Sequence, residues 1–220
     1  MDKEFAVPHF FLGANSPSGF VSRFEHLYDP DDHWFAYILK GGPGTGKSTL
    51  MKRAARECIA EGIETELIYC SSDPDSLDAV IFPEKRICIV DGTPPHVVEP
   101  RYPGVAESII NLGECWDLSA LLQNSYGIIE KTRQNSLYHK RADRYLSACG
   151  ALHCDTSKLI EESINQDKIA KYVKNFAKNN FPRENKEKGR EKVRILSAIT
   201  PDGFIYFDDT ISMLCKDLFI

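Results

Sequence analysis

Apolar residues recur along the chain in two periods, one of strands and one of helices. Residues 34–40, WFAYILK, are a short apolar run ending at a Gly/Pro loop, the pattern of a strand buried on both faces. Over residues 47–61 the apolar positions Leu50, Met51, Ala54, Ala55, Cys58 and Ile59 repeat at helical spacing, and Gly62 stands where a helix ends. Residues 65–71 and 86–91 predict two more buried strands, each running into a polar, Pro-containing loop. Strands alternating with a helix predict a mainly parallel sheet.

Beyond the prolines at 94, 95, 100 and 103 the period changes to about 75 residues of helical pattern. This block reads as an insertion from about residue 105 to 182. Leu118, Leu121, Leu122, Ile129, Tyr138, Ala142, Tyr145, Leu146 and Cys149 predict one long helix or two, with Gly127 a weak point. Asp155 or Thr156 is expected to cap another, whose apolar face is Ile160, Ile164, Ile169, Val173 and Phe176. Residues 183–194 carry an excess of Lys and Arg and read as a solvated linker or an anion-binding patch. Residues 193–200 and 204–207 predict two strands around a Thr-Pro-Asp-Gly turn.

A shift of 184 positions lays the segment Leu12 to Val21 over Leu196 to Ile205, with Leu, Ala, Pro, Gly and Phe identical. Two readings are open: unrelated hairpins sharing a common turn, or a true repeat. On the second, residues 195–220 start a second copy, and Leu218, Phe219 and Ile220 open its first strand.

Composition narrows the class. At 220 residues the chain fits one large domain, or one domain carrying an insertion. Its 42% apolar and 27% charged residues exclude wholesale disorder. A net charge of −5 gives no general pull toward nucleic acid or anionic lipid. No apolar run approaches the ~18 residues of a membrane span, and no leader pattern opens the chain, so a cytoplasmic protein without a membrane partner is expected. The seven cysteines include no C-x-x-C pair and are expected to be buried, reduced thiols.

One motif carries chemistry. Gly41-Gly42-Pro43-Gly44-Thr45-Gly46-Lys47-Ser48 matches G-x-x-x-x-G-K-[ST], between a predicted strand and a predicted helix. Its glycines let successive N–H groups turn toward phosphate oxygens, and the helix N-terminus adds its positive end. Lys47 is expected to reach the β- and γ-phosphates, and the Ser48 hydroxyl to ligate Mg²⁺. Ile87-Cys88-Ile89-Val90-Asp91 has the form of a second nucleotide-binding motif, its carboxylate holding Mg²⁺ through water; Asp91 also reads as an Asp-Gly turn. Gly92 follows where many ATP-hydrolysing domains have a water-activating Glu, so the base is unassigned. Asp73 is the candidate to position water or accept a substrate proton, with His96, Glu99 and Arg101 behind it. Arg133, Lys140, Arg141 and Arg144 are candidates for an additional transition-state cation.

With Gly41 to Thr49, Cys70 to Asp73, Ser76 to Asp78, Ile89 to Thr93, His96, Ile109 to Glu114 and Ile199 to Gly203, the chain resembles the amino-terminal half of bacterial tandem P-loop ATPases of unassigned role. The resemblance implies that Gly41 to Thr49 and Asp91 bind ATP or GTP. It also implies a partner, either a second P-loop half or a homodimer mate. The expected fold is therefore an α/β P-loop NTPase domain, a mainly parallel sheet with helices on both faces and a helical insertion. The expected function is Mg²⁺-dependent nucleoside triphosphate binding, most plainly of ATP, with slow hydrolysis involving Lys47, Asp91 and Asp73. A small-molecule or nucleotide kinase and a nucleotide-gated interaction module are the alternatives. Strand order distinguishes kinase-like sheets, in which the Asp91 strand lies beside the Gly41 strand, from motor-type sheets with a strand between them.

Overall fold

The computed structural model describes residues 7–180 and 192–214. In chain order the strands are β1 (His9–Phe11), β2 (Gly13–Ser16), β3 (Gly19–Ser22), β4 (Phe35–Lys40), β5 (Glu66–Tyr69), β6 (Leu77–Phe82), β7 (Ile87–Asp91), β8 (Glu107–Asn111), β9 (Ser197–Thr200) and β10 (Gly203–Tyr206). The helices are α1 (Lys47–Ala60), α2 (Leu118–Gln123), α3 (Ser125–Ser163), α4 (Gln166–Asn180) and α5 (Asp208–Leu214).

The expected mainly parallel P-loop sheet with helices on both faces is not what forms. Six strands make a mixed sheet in the order β1-β5-β6-β7-β4-β8. Its β1–β5, β4–β7 and β4–β8 pairs are parallel, while β6 runs antiparallel to both β5 and β7. Connection length is the cause. A parallel neighbour needs a crossover of a dozen or more residues, whereas short connections, one of them the single 3-10 turn at Pro83–Lys85, lead into and out of β6. Only a reversal fits. The LDAVIF run of β6 is buried at every position and, lacking alternation, hides its strand character beside the polar loop before it.

Helix α1 covers one face, where Leu39, Met51, Ala55, Leu77, Val80 and Phe82 form a buried cluster. On the other face Phe24, Leu27 and Trp34, carried by loops and a 3-10 turn, close over Ala36, Ile38, Ile68 and Val90. Helices α2 to α4 all follow β8 in the chain. Residues 107–111, expected in the helical block, are instead the edge strand β8, paired to β4 in register from Ala36↔Glu107 to Lys40↔Asn111. Helix α3 continues unbroken through Gly127, Asp155 and Thr156. The cap expected at Asp155 or Thr156 falls to Asn165, whose side chain accepts from the Lys168 N–H at 2.9 Å.

The two hairpins that match at an offset of 184 meet in a second, antiparallel sheet, β10-β9-β2-β3. They pair at Asn15↔Ile199, which are equivalent positions of the repeat. Ser16 Oγ donates to the Gly19 carbonyl at 2.7 Å, and Thr200 Oγ1 donates to the Gly203 carbonyl at 2.9 Å. Gly19 and Gly203 have φ of 107° and 108°, a region that disfavours side chains. The matched residues are thus related by a local two-fold.

Among the described residues no helix is long and apolar enough to cross a membrane. The six described cysteines are free, but Cys115, Cys149 and Cys154 are exposed, against the expectation of burial. Cys149 and Cys154 lie on α3, in which Gly150 is the buried residue. Leu218 to Ile220 and residues 183–191 lie outside the described residues.

Candidate phosphate-binding site

Strand β4 ends at Lys40 and α1 begins at Lys47, so the glycine-rich motif bridges a buried strand and a helix N-terminus. Gly44 and Gly46 have φ of 77° and 87°, backbone that a residue with a Cβ adopts only under strain. Thr45 closes the loop on itself, its hydroxyl donating to the Gly42 carbonyl at 2.9 Å. A Cβ on Gly41 would stand 2.7 Å from that hydroxyl. Pro43 sits at the crest, and Thr49 follows Ser48 in the first turn of α1.

Lys47 is folded into the loop. Its ammonium donates to the carbonyls of Gly41 and Gly42 at 2.8 and 3.1 Å and lies 3.5 Å from Asp91 Oδ2. Asp91 arrives on β7, directly beside β4 in the register Leu39↔Asp91. Its Oδ1 accepts from the Thr93 N–H and hydroxyl at 2.9 and 2.6 Å. Ser48 Oγ accepts from the Leu77 N–H at 3.0 Å, which leaves its second lone pair available. The expected phosphate and metal residues therefore converge on one end of the sheet. Among the described residues no group of three His, Cys, Asp or Glu forms a metal cage. The fit to a hard cation is accordingly that of one hydroxyl and one carboxylate beside the candidate phosphate loop, the donor set magnesium accepts.

The remaining candidates separate. Asp73 is exposed and caps its own turn, accepting from Ser76 Oγ at 2.6 Å while its carbonyl accepts from the Ser76 N–H at 2.8 Å. Glu99 pairs with Lys40 at 2.5 Å, whose ammonium also donates to the Gly92 and Val98 carbonyls; this clamps the loop after β7. Arg101 lies with Tyr28 and Glu66 around a cavity of about 520 Å³ at the opposite end of the sheet. Arg133, Lys140, Arg141 and Arg144 lie on α3, exposed, and Arg141 stacks on Tyr145. At Gly92 there is no room for a Glu, since a Cβ would come within 2.5 Å of the Ile38 side chain and 3.0 Å of the Val98 carbonyl.

Behind Lys47 and Asp91 lies a buried acid–base pair. Asp78, on β6, is 5% exposed, and His96 6%. Their nearest atoms, Oδ1 and Nε2, stand 3.8 Å apart, beyond hydrogen-bond length. Both ring nitrogens of His96 lack a hydrogen-bond partner among the described residues, while its ring stacks flat on Phe24 at 4.1 Å. Burial lifts the Asp78 carboxyl to about 7, the Asp91 and Asp73 charges push the same way, and the Cys70 thiol opposes. Burial also lowers His96, against the pull of the Asp91 carboxylate. Burial thus disfavours the charged form of both groups, while the Asp91 carboxylate disfavours a charged Asp78 and favours a charged imidazole.

The sequence offers Asp78 as a carboxylate of the polar loop after Ser71, whereas strand β6 starts at Leu77 and buries it. Trp116 was not singled out. Its ring passes 3.5 Å from where a Cβ on Gly42 would be, and 43% of it is exposed. An aromatic immediately after the 3-10 turn Leu112–Cys115 that follows β8 is the signal that marks it. Comparison of the chain with family models, with curated proteins and with solved structures gives no match.

Proposed function

We propose that this chain binds a nucleoside triphosphate with Mg²⁺ and hydrolyses it slowly. The observation that carries this reading is the placement of Lys47. A cation 10% exposed at its side chain, held by two loop carbonyls 3.5 Å from Asp91, has no apolar packing role and stands where an anion can take over its hydrogen bonds. The N–H groups of Gly42 and of Gly44 to Ser48 orient the phosphates, and Lys47 binds them as a point charge. Ser48 and Asp91 would hold magnesium, which supplies charge screening on the phosphate oxygens when bound. Trp116 offers an aromatic face beside the loop that suits a base without selecting ATP or GTP. Slow turnover follows from Gly92, where packing excludes the carboxylate that would activate water. The resemblance to tandem ATPases agrees with this reading.

One observation favours a second reading, transfer of the phosphoryl group to an acceptor hydroxyl. Strand β7 lies immediately beside β4, the kinase-like order, although the antiparallel β6 next to it belongs to neither sheet type named above. Magnesium-dependent release of ADP or GDP, with Trp116 fluorescence and thermal shift measured in parallel, tests both. Turnover lost in Lys47→Ala supports hydrolysis, and ADP release only with an added acceptor supports transfer. Binding without turnover leaves a nucleotide-gated module, and the absence of Lys47-dependent binding overturns the reading altogether.

A further inference from the structure

Helix α3 spans 39 residues, of which Gly150 is buried. Its back is anchored to the body. Ser147 Oγ donates to the Pro17 carbonyl at 2.8 Å, and a Cβ on Gly150 would fall 2.3 Å from the Pro17 ring. In a seven-residue repeat with Tyr138 at position d, Ser147 and Gly150 occupy positions f and b, well round the helix from the a/d seam. Tyr138, Tyr145, Leu152 and Leu159 follow one another every seven residues along that seam and are 64–71% exposed. The a positions between them, Asn135, Ala142, Cys149 and Thr156, are small or polar and equally exposed. The seam runs roughly 32 Å at 1.5 Å per residue and faces away from the body that holds the helix.

We propose that a second copy of this chain covers this seam, the two α3 helices packing antiparallel as a coiled coil. Large d residues alternate with small a residues, so an antiparallel mate fills each gap. Tyr145 then faces Cys149 of the mate, and Leu152 faces its Ala142. Charge selects the direction. Of the g positions that flank the seam, Arg141 lies in the first half and Asp155 and Glu162 in the second. An antiparallel pair sets basic half on acidic half, with Arg141 beside Asp155 of the mate on both sides of the two-fold; a parallel pair sets basic on basic. The four tyrosines alone bring about 600 Å² at ~150 Å² each, half of the roughly 1,200 Å² at which specific interfaces begin, and the leucines come on top. With the body anchored to the back of each helix, the two bodies lie on the outer sides of the pair.

Sedimentation velocity on the full chain tests this over a concentration series. A concentration-dependent dimer is expected, converted to monomer by Tyr145→Glu with Leu152→Glu while far-UV helicity is kept. Arg141→Asp alone should weaken dimerisation roughly ten-fold, because like charges then face each other twice. Combining it with Asp155→Arg should restore the wild-type constant, which only the antiparallel arrangement allows. A monomer at every concentration, or a dimer indifferent to the seam variants, overturns the proposal. A dimer broken by the seam pair but not rescued by the charge exchange overturns its direction. None of these outcomes depends on nucleotide, so the phosphate-site reading stands or falls separately.

Discussion

The two ends of the six-stranded sheet both bury charge, and they treat it oppositely. Where β5 and β8 begin, Glu66 and Glu107 are 0% exposed, and each is fully partnered. Glu66 accepts from Lys192 and, at 3.2 and 3.3 Å, from Arg194. Glu107 accepts from the Tyr28 hydroxyl at 2.9 Å and the Tyr102 N–H at 2.8 Å. Where β4 and β7 finish, Lys47 leans on loop carbonyls, and both ring nitrogens of His96 lack a partner among the described residues. Asp78 is pushed toward neutrality rather than paired with a cation. Complete partnering is what a buried charge needs for structure. Incomplete partnering of a titratable group leaves capacity for a ligand, and His96 is such a group at the end that carries the glycine-rich loop, whereas the unpartnered buried atom at the other end among the described residues is the neutral Trp34 Nε1.

The contrast breaks first at Glu66. Glu66→Ala leaves Arg194 buried without its carboxylate and is expected to cost about 3–5 kcal/mol, read as a lower urea midpoint, with nucleotide binding intact in the protein that folds. At the other end the sign reverses. Asp78 has a folded pKa of about 7 against 3.8, so the folded state binds more protons than the unfolded one between about pH 4 and 7. Stability therefore falls as pH rises through that window. Asp78→Asn removes the slope, and the variant should gain on the wild type above pH 7, with a ceiling of about 4 kcal/mol at 1.36 kcal/mol per pKa unit. His96, lowered by burial, works the other way below its ordinary value, so the difference between wild type and variant isolates Asp78. A parallel pair of pH–stability curves would refute the assignment.

Smaller again is the effect of Lys47→Ala. In the free protein its unfolding midpoint should barely move, but the stabilisation by saturating nucleotide should vanish, about 2.7 kcal/mol at a hundred-fold excess over Kd. A thermal shift that survives the substitution would place the nucleotide elsewhere.

The same contrast explains what the sequence made legible. The end with the glycine-rich loop was readable because its pattern is local: eight consecutive residues define the loop, and the five-residue strand ending at Asp91 lies beside it. Strand β4, helix α1 and β7 were readable for the same reason, each being one uninterrupted periodic run. The pairing of Glu66 with Arg194 spans 128 residues, and nothing at either position announces the other. Strand β6 was hidden because full burial removes the alternation that marks a strand, and with it went the burial of Asp78 and the antiparallel reversal that makes the sheet mixed. Helix α3 was legible as helix and not as a surface, since an apolar stripe looks the same whether the body or another chain covers it.

The smallest effect sharpens the chemistry. Asp73 is exposed, and its carboxylate is already engaged by Ser76 Oγ at 2.6 Å, an interaction internal to one turn. Asp73→Ala should cost less than about 1 kcal/mol of stability, the range of a lost exposed hydrogen bond. If hydrolysis proceeds without it, turnover should stay within a factor of about three. A fall of 10²-fold or more, the scale of a lost general base, would instead assign Asp73 to the proton of an acceptor hydroxyl and favour phosphoryl transfer. Ser76→Ala separates the two explanations, because it frees the Asp73 carboxylate without removing it. Turnover unchanged in Ser76→Ala but lost in Asp73→Ala would make the carboxylate itself the acting group, whereas equal losses would mean that only the shape of the turn matters.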